Sequence, residues 1–201
     1  MISIRIFHAL FGLTEPLTIT VDPQLRTEML FFGTLTNYES CLPGFHTVTV
    51  IGSESHRVYL QKTLPFFSPD AFTLAIIYSF RGMDVLPIPD YPCFTLSSSF
   101  ACIRTVNLTN DPFRYQLSLY GNRTLFSDVW FRQITSHRRL SPGKHGIFLS
   151  LPGDATPLIP STFEAHAHLS YTAFVYGALS GDTLSLLVQK DTPGSDQLPF
   201  Q

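Results

Sequence analysis

Charged side chains are scarce in this chain: Asp, Glu, Lys and Arg make up 14% of its 201 residues, against about 25% in an ordinary globular protein. The 13 basic and 15 acidic residues leave a net charge of −2, so neither nucleic acid nor an anionic membrane surface finds an electrostatic footprint here. No run of about 20 apolar residues occurs, which argues against a transmembrane helix. The apolar run from Ile2 to Leu13 is interrupted by Arg5 and His8. It follows no basic segment and precedes no small-x-small site, so it reads as a strand rather than a signal peptide. No 11-residue window carries an apolar stripe of helical period, which excludes an amphipathic helical bundle. Asp22, Asp70, Asp84 and Asp182 fall in predicted turns without a Ser or Cys nucleophile motif, so a hydrolytic triad has no support. Cysteine is also sparse: Cys41, Cys93 and Cys102 are odd in number and lack metal-ligand spacing.

The chain does have an internal repeat. Adding 99 to the numbers of Phe32, Thr36, Pro43, Gly44 and His46 gives Phe131, Thr135, Pro142, Gly143 and His145. The same offset carries Ile4-Arg5 onto Ile103-Arg104, Leu35 onto Ile134 and Thr73 onto Thr172. One offset thus fits the start, middle and end of both halves. A period of this length is too long for a solenoid repeat and suits a small domain. Hydrophobic residues at 44% and aromatic residues at 13% supply enough apolar material for two cores.

Alternation with a period of two marks strands at Ile2, Ile4 and Ile6, at Leu17 to Val21, and at His46, Val48 and Val50, whose face should point inward. Met29 to Leu35 is nearly all apolar and contains Gly33, as in a strand buried on both sides or carrying a bulge. Arg57 to Leu64, Phe72 to Phe80 and Met83 to Ile88 complete the first half. The second half offers Ala101 to Asn107, Tyr115 to Tyr120, Val129 to Thr135, His145 to Leu151, Phe163 to Val175 and Leu184 to Val188. Pro87, Pro89 and Pro92, followed by Ser97-Ser98-Ser99, read as a linker. The expected organisation is all-β: an antiparallel sandwich over residues 1–86, a linker over 87–99, a second, diverged sandwich over 100–190 and a tail over 191–201. Each sandwich should have about seven strands. An orthogonal barrel is the alternative that spacing leaves open.

Arg5, His8-Ala9, Val21-Asp22, Phe32-Gly33, Thr36, Tyr38, Leu42-Pro43-Gly44, Val48, Val50 and Phe72-Thr73-Leu74-Ala75 together resemble the bacterial domain-of-unknown-function family 4397. The resemblance covers nearly all of the first half and, more weakly, the second. There Arg132 replaces Gly33 and His137 replaces Tyr38. The family's usual Ser-Pro-Asp-Ala-Pro after the early His-Ala is replaced by Leu10-Phe11-Gly12. The resemblance implies an immunoglobulin-like or transthyretin-like sandwich, typically in tandem, at bacterial cell surfaces or the spore envelope. It implies no enzymatic activity and brings no catalytic residue or cofactor.

Three function classes follow. A surface poor in charge lowers the desolvation cost of protein contact. This favours a non-enzymatic structural or adhesive protein at a cell or spore surface, acting as a homo-oligomer or with an envelope partner. An intermolecular disulfide through Cys41, Cys93 or Cys102 would fit such an assembly, and buried thiols are the plainer reading. The second class is a carbohydrate-binding surface module: 18 Phe, 8 Tyr and 1 Trp could provide an exposed row that stacks on glycan rings, with Trp130, Phe174 and Tyr176 as candidates. The third is metal binding. If Glu164, His166 and His168 lie on one strand they share a face, and neighbouring imidazoles can chelate a transition metal. His46 and His145, each two residues after a Pro-Gly turn, read as end-of-sandwich packing residues, with a ligand or pH-sensitive role as the alternative.

Overall fold

A computed structural model of the chain describes residues 1–22, 25–67, 71–93, 99–121, 123–154 and 156–191. It divides between Tyr91 and Pro92 into two compact units. The first contains β1 (Ile2–His8), β2 (Leu17–Val21), β3 (Leu25–Leu30), β4 (Glu39–Cys41), β5 (Gly44–Gly52), β6 (Val58–Phe66), β7 (Ala71–Ser79) and β8 (Gly82–Pro89). They form two four-stranded sheets, ordered β4-β1-β7-β8 and β3-β2-β5-β6. All pairings are antiparallel except β1 with β7, where Arg5 lies opposite Thr73. Ile2, Ile4 and Ile6 from β1, Leu74 and Ile76 from β7, Leu17, Ile19 and Val21 from β2, and Val48 and Val50 from β5 fill a common core. The period-two apolar pattern thus puts one face of each sheet inside.

The second unit repeats this plan. Its strands are β9 (Ala101–Asn107), β10 (Tyr115–Leu119), β11 (Arg123–Val129), β12 (Arg138–Leu140), β13 (Gly143–Ser150), β14 (Ile159–Ala165), β15 (Ser170–Tyr176) and β16 (Ser185–Lys190). The sheets run β12-β9-β15-β16 and β11-β10-β13-β14, again with one parallel pair, β9 with β15. The chain is therefore a tandem of β-sandwiches, each of eight strands. No α-helix occurs among the described residues.

Several boundaries differ from the sequence reading, for identifiable reasons. Pro87 and Pro89, assigned to the linker, belong to β8. This strand is a sheet edge, and Asp90 N donates to Ala71 O at 2.9 Å. In an antiparallel ladder the alternate positions, here Pro87 and Pro89, turn their nitrogens away from the partner and need no N–H. The rest of the linker's Ser-rich stretch, 94–98, and nearly all of the expected tail, 192–201, lie outside the described residues, as does Asp70. The run from Met29 to Leu35 is not a buried strand: β3 ends at Leu30 and Phe31 is 58% exposed. A bulge is present instead. Met29 adopts φ 53° where the β2–β3 register shifts, and Asp128 repeats it at φ 54° beside the shifted β10–β11 register.

A buried ionic network recurs in both units. Arg5, 2% exposed in the middle of β1, donates from Nε to Thr73 Oγ1 at 2.7 Å, and the Thr73 hydroxyl donates onward to Asp90 Oδ2 at 2.7 Å. The Arg5 guanidinium lies 3.8 Å from the Asp90 carboxylate. Arg104, Thr172 and Asp191 repeat the chain of contacts at 2.8, 2.6 and 3.7 Å. Alternation puts Arg5 on the face of β1 opposite Ile4 and Ile6, and the structure buries that position as well, with the charge matched by Asp90. Removing one partner leaves the other buried and uncompensated. Asp90→Ala should therefore destabilise the first unit by about 3–5 kcal/mol in urea unfolding, and Asp191→Ala should do the same in the second.

Candidate functional site

The corner where the Pro-Gly turn enters β5, or β13 in the second unit, is built on the same backbone twice and carries different chemistry in each copy. In the first unit, His46 is 7% exposed and stacks on Phe66 at 6.0 Å. Its Nδ1 lies 2.8 Å from Asp22 O and its Nε2 lies 2.8 Å from Leu42 O. Both ring nitrogens thus face backbone carbonyls. The Asp22 carboxylate is 4.0 Å from Nδ1 and accepts the Thr47 amide. Histidine, aspartate and the β4–β5 turn are thereby clamped together, which bears out the structural reading of His46. Outside this clamp, Phe45 is 72% and Phe67 56% exposed, with ring centroids 5.2 Å apart, and Leu42 is exposed beside the turn.

At the second copy of the corner, Tyr120 stands in place of Asp22 at the end of the strand and Gly146 in place of Thr47. His145 keeps one bond, Nε2 to Ser141 O at 2.7 Å. The two exchanges depend on each other: a Cβ on Gly146 would lie 2.5 Å from the Tyr120 ring, so the tyrosine covers the glycine because no side chain stands there. Lys144 and Glu164 replace Phe45 and Pro65 and lie opposite each other across β13 and β14. A shallow cleft of about 370 Å³ at this corner is lined by Lys144, His145, Gly146, Thr162, Phe163 and Glu164.

A family model described as Domain of unknown function (DUF4397) matches residues 2–113. The chain belongs to the DUF4397 family. No curated protein matches it. The match spans the first DUF4397 unit and reaches past β9 into the second. The residues that carry the resemblance turn out to build the fold. Arg5 and Thr73 belong to the buried network, and Tyr38 joins it by donating to Asp90 Oδ2 at 2.9 Å, with the Arg5 guanidinium 4.5 Å from its ring centre. Thr36 Oγ1 accepts the Ile6 amide at 2.9 Å, a bond that Thr135 and the Thr105 amide repeat at 2.9 Å. Val48 and Val50 are core residues.

The sequence-derived site candidates fare unevenly. Glu164, His166 and His168 do not share a strand face. β14 stops at Ala165, and the chain then turns through His166 to His168, which has φ 66°. No group of three His, Cys, Asp or Glu residues capable of holding a metal occurs among the described residues. The single strand expected from Phe163 to Val175 is broken by this turn into β14 and β15. Cys93 and Cys102 are bonded to each other within the chain, and Cys41 is a buried free thiol. None of the three is thus left for an intermolecular bond. Of the aromatic candidates, Phe174 is fully buried and Tyr176 half-buried, while Trp130 is 57% exposed, its ring 4.6 Å from the Arg114 guanidinium. They form no exposed row. Tyr120, which sequence reasoning passed over, was signalled only by the glycine opposite it. Asp84 pairs with Lys62 at 2.6 Å. Asn107, the counterpart of His8, is buried, its side-chain amide donating to Val129 O.

Two ionisable groups of the first unit depart from ordinary behaviour. Glu15 accepts hydrogen bonds from Tyr59, from the Ser55 amide and hydroxyl, and from the Glu54 amide, which hold its carboxyl down at about 2. His8 is 1% exposed at the end of β1, edge-on to Phe32 at 6.2 Å. Burial lowers its pKa from 6.5 to about 4, against a smaller upward contribution from its backbone hydrogen bond. The folded unit therefore holds His8 neutral, while the unfolded chain protonates it below 6.5. Its contribution to stability should fall as pH drops from 6.5 to about 4, by about 3 kcal/mol in total. Urea midpoints measured across that range check this, and His8→Asn, copying Asn107, should flatten the slope. Separately, the bond between Cys93 and Cys102 closes a loop of sequence separation 9, worth about 2–3 kcal/mol. Reductant should lower the urea stability of the second unit by that amount and leave the first unchanged.

Proposed function

We propose that this protein is a non-enzymatic structural or adhesive component of a bacterial cell or spore surface that works through protein–protein association, including association with copies of itself. The observation that carries this reading is the apolar corner of the first unit, where Phe45, Phe67 and Leu42 stand in solvent next to a rigidly clamped turn. Single exposed apolar residues are common, but a paired aromatic cluster held by a fixed scaffold is the arrangement that anchors interfaces. Phe80 at 89% and Phe31 at 58% exposure add to the apolar surface of the same unit. In a chain with so few charges, little desolvation opposes contact there.

The test is molar mass by light scattering across concentration. Association that grows with concentration is expected. Burying each phenylalanine is worth about 1.5–3 kcal/mol, so Phe45→Ser and Phe67→Ser should each weaken association by about 10- to 100-fold. Reductant should leave assembly intact, since Cys93 and Cys102 are already paired and Cys41 is buried. A monomer at every concentration would remove self-association from the reading and leave only a different envelope protein as partner.

A further inference from the structure

A single chain joins the two units, and each unit holds its own side of the junction. On the first side the last fixed residue is Asp90. Its amide donates to Ala71 O at 2.9 Å, and its buried carboxylate accepts from Thr73 and Tyr38 beside Arg5. On the second side the first fixed residue is Cys93. Its sulfur is bonded to Cys102 of β9, and its amide donates to Ser170 Oγ at 2.8 Å, at the start of β15. Only Tyr91 and Pro92 lie between these anchors, and both are exposed. Without the disulfide, Cys93 would be held by one hydrogen bond worth about 0.5–1.5 kcal/mol. The next anchor along the chain is Phe100, whose carbonyl accepts the His168 amide at 2.9 Å.

We propose that the bond between Cys93 and Cys102 is a redox-controlled leash that sets the length of chain running between the two units. A chain spans at most about 3.3–3.6 Å per residue. With the bond closed, the distance from Asp90 to Cys93 is therefore at most about 11 Å. With it open, the stretch from Asp90 to Phe100 spans up to about 36 Å. The bond is not part of the repeated scaffold, since Ser3 stands in the first unit where Cys102 stands in the second. The first unit builds the same sheets with only a free thiol, so opening the bond lengthens the tether without dismantling the sandwich. Cys102 is 1% exposed, and its thiol can stay inside as a small apolar group. Cys93 is half-buried and offers the sulfur open to attack. A thiolate of a dithiol reductant attacks Cys93 Sγ and expels Cys102 as a thiolate. The reductant's second thiolate then closes its own disulfide and expels Cys93, and both cysteine thiolates take up protons. Two electrons and two protons thus pass to the protein, and the dithiol becomes a cyclic disulfide.

The experiment is small-angle X-ray scattering from the monomeric fraction of the full chain, with and without dithiothreitol. Alkylation and mass measurement report whether the bond is open, and amide NMR spectra of the same samples report whether each unit is folded. Opening the bond should raise the maximum dimension by up to about 25 Å while the dispersed amide signals of both units persist. Cys93→Ser should show the long form without reductant and give no further response to it. Phe45→Ser should respond as the unaltered chain does, so this inference can fail without touching the association reading. An unchanged maximum dimension with the bond open would overturn the proposal. So would an increase accompanied by loss of the second unit's amide signals, which would mark unfolding in place of a longer tether.

Discussion

Each sandwich depends on one buried arginine. Moving a guanidinium and a carboxylate out of water costs several kcal/mol per ion, and their attraction repays that only when geometry and hydrogen bonding are both good. Here the Thr73 hydroxyl accepts a hydrogen bond from the arginine Nε and donates one to Asp90, while Tyr38 supplies a ring face and a further donor. A well-packed apolar trio in the same place would be about as stable. What the ionic trio adds is register. β1 and β7 pair in parallel with no tight turn to align them, and a one-residue slip would carry Arg5 to the apolar side of the sheet. The recurrence of the same contacts at Arg104, Thr172 and Asp191 shows that both copies solve the problem in the same way.

The two copies diverge at the corner after the Pro-Gly turn. Asp22 and Thr47 of the first become Tyr120 and Gly146 in the second, a paired exchange in which the larger ring needs the missing side chain. Phe45 and Pro65 become Lys144 and Glu164. Core and network are retained while one exposed corner changes from apolar to polar. A duplication that keeps its scaffold and varies one surface is the pattern expected when the copies meet different partners.

The repeat, the all-β class and most core positions were legible in the sequence, because period-two alternation and an offset of 99 residues are direct consequences of strand geometry and duplication. The burial of Arg5 was not legible because alternation describes which face a residue takes and cannot see a matched charge 85 residues away at Asp90. The histidine cluster failed for a related reason: Glu164, His166 and His168 share a face only if the strand continues, and no Gly or Pro marks the turn after Ala165. Pro87 and Pro89 misled in the opposite direction, since proline forbids a central strand and tolerates an edge. The diverged corner was hidden because one partner of its contact is a glycine and the other stands 26 residues earlier in the chain. Neither residue announces itself without the pairing of Tyr120 with Gly146.

The parallel pairing of β1 with β7 has a mechanical side. Ser3 lies opposite Ala71, and Phe72 lies opposite Pro89, so the first strand of the unit begins and the last ends at the same end of the sheet. Tension applied between those two points pulls across the strands. Backbone ladders loaded in this direction open rung by rung, unlike ladders sheared along their length. Asp90 sits at that end, just past β8, and is tied by side chains to Thr73 and to Arg5 in the middle of β1. A peeling force would have to break these contacts along with the backbone rungs between the end and the middle of the sheet.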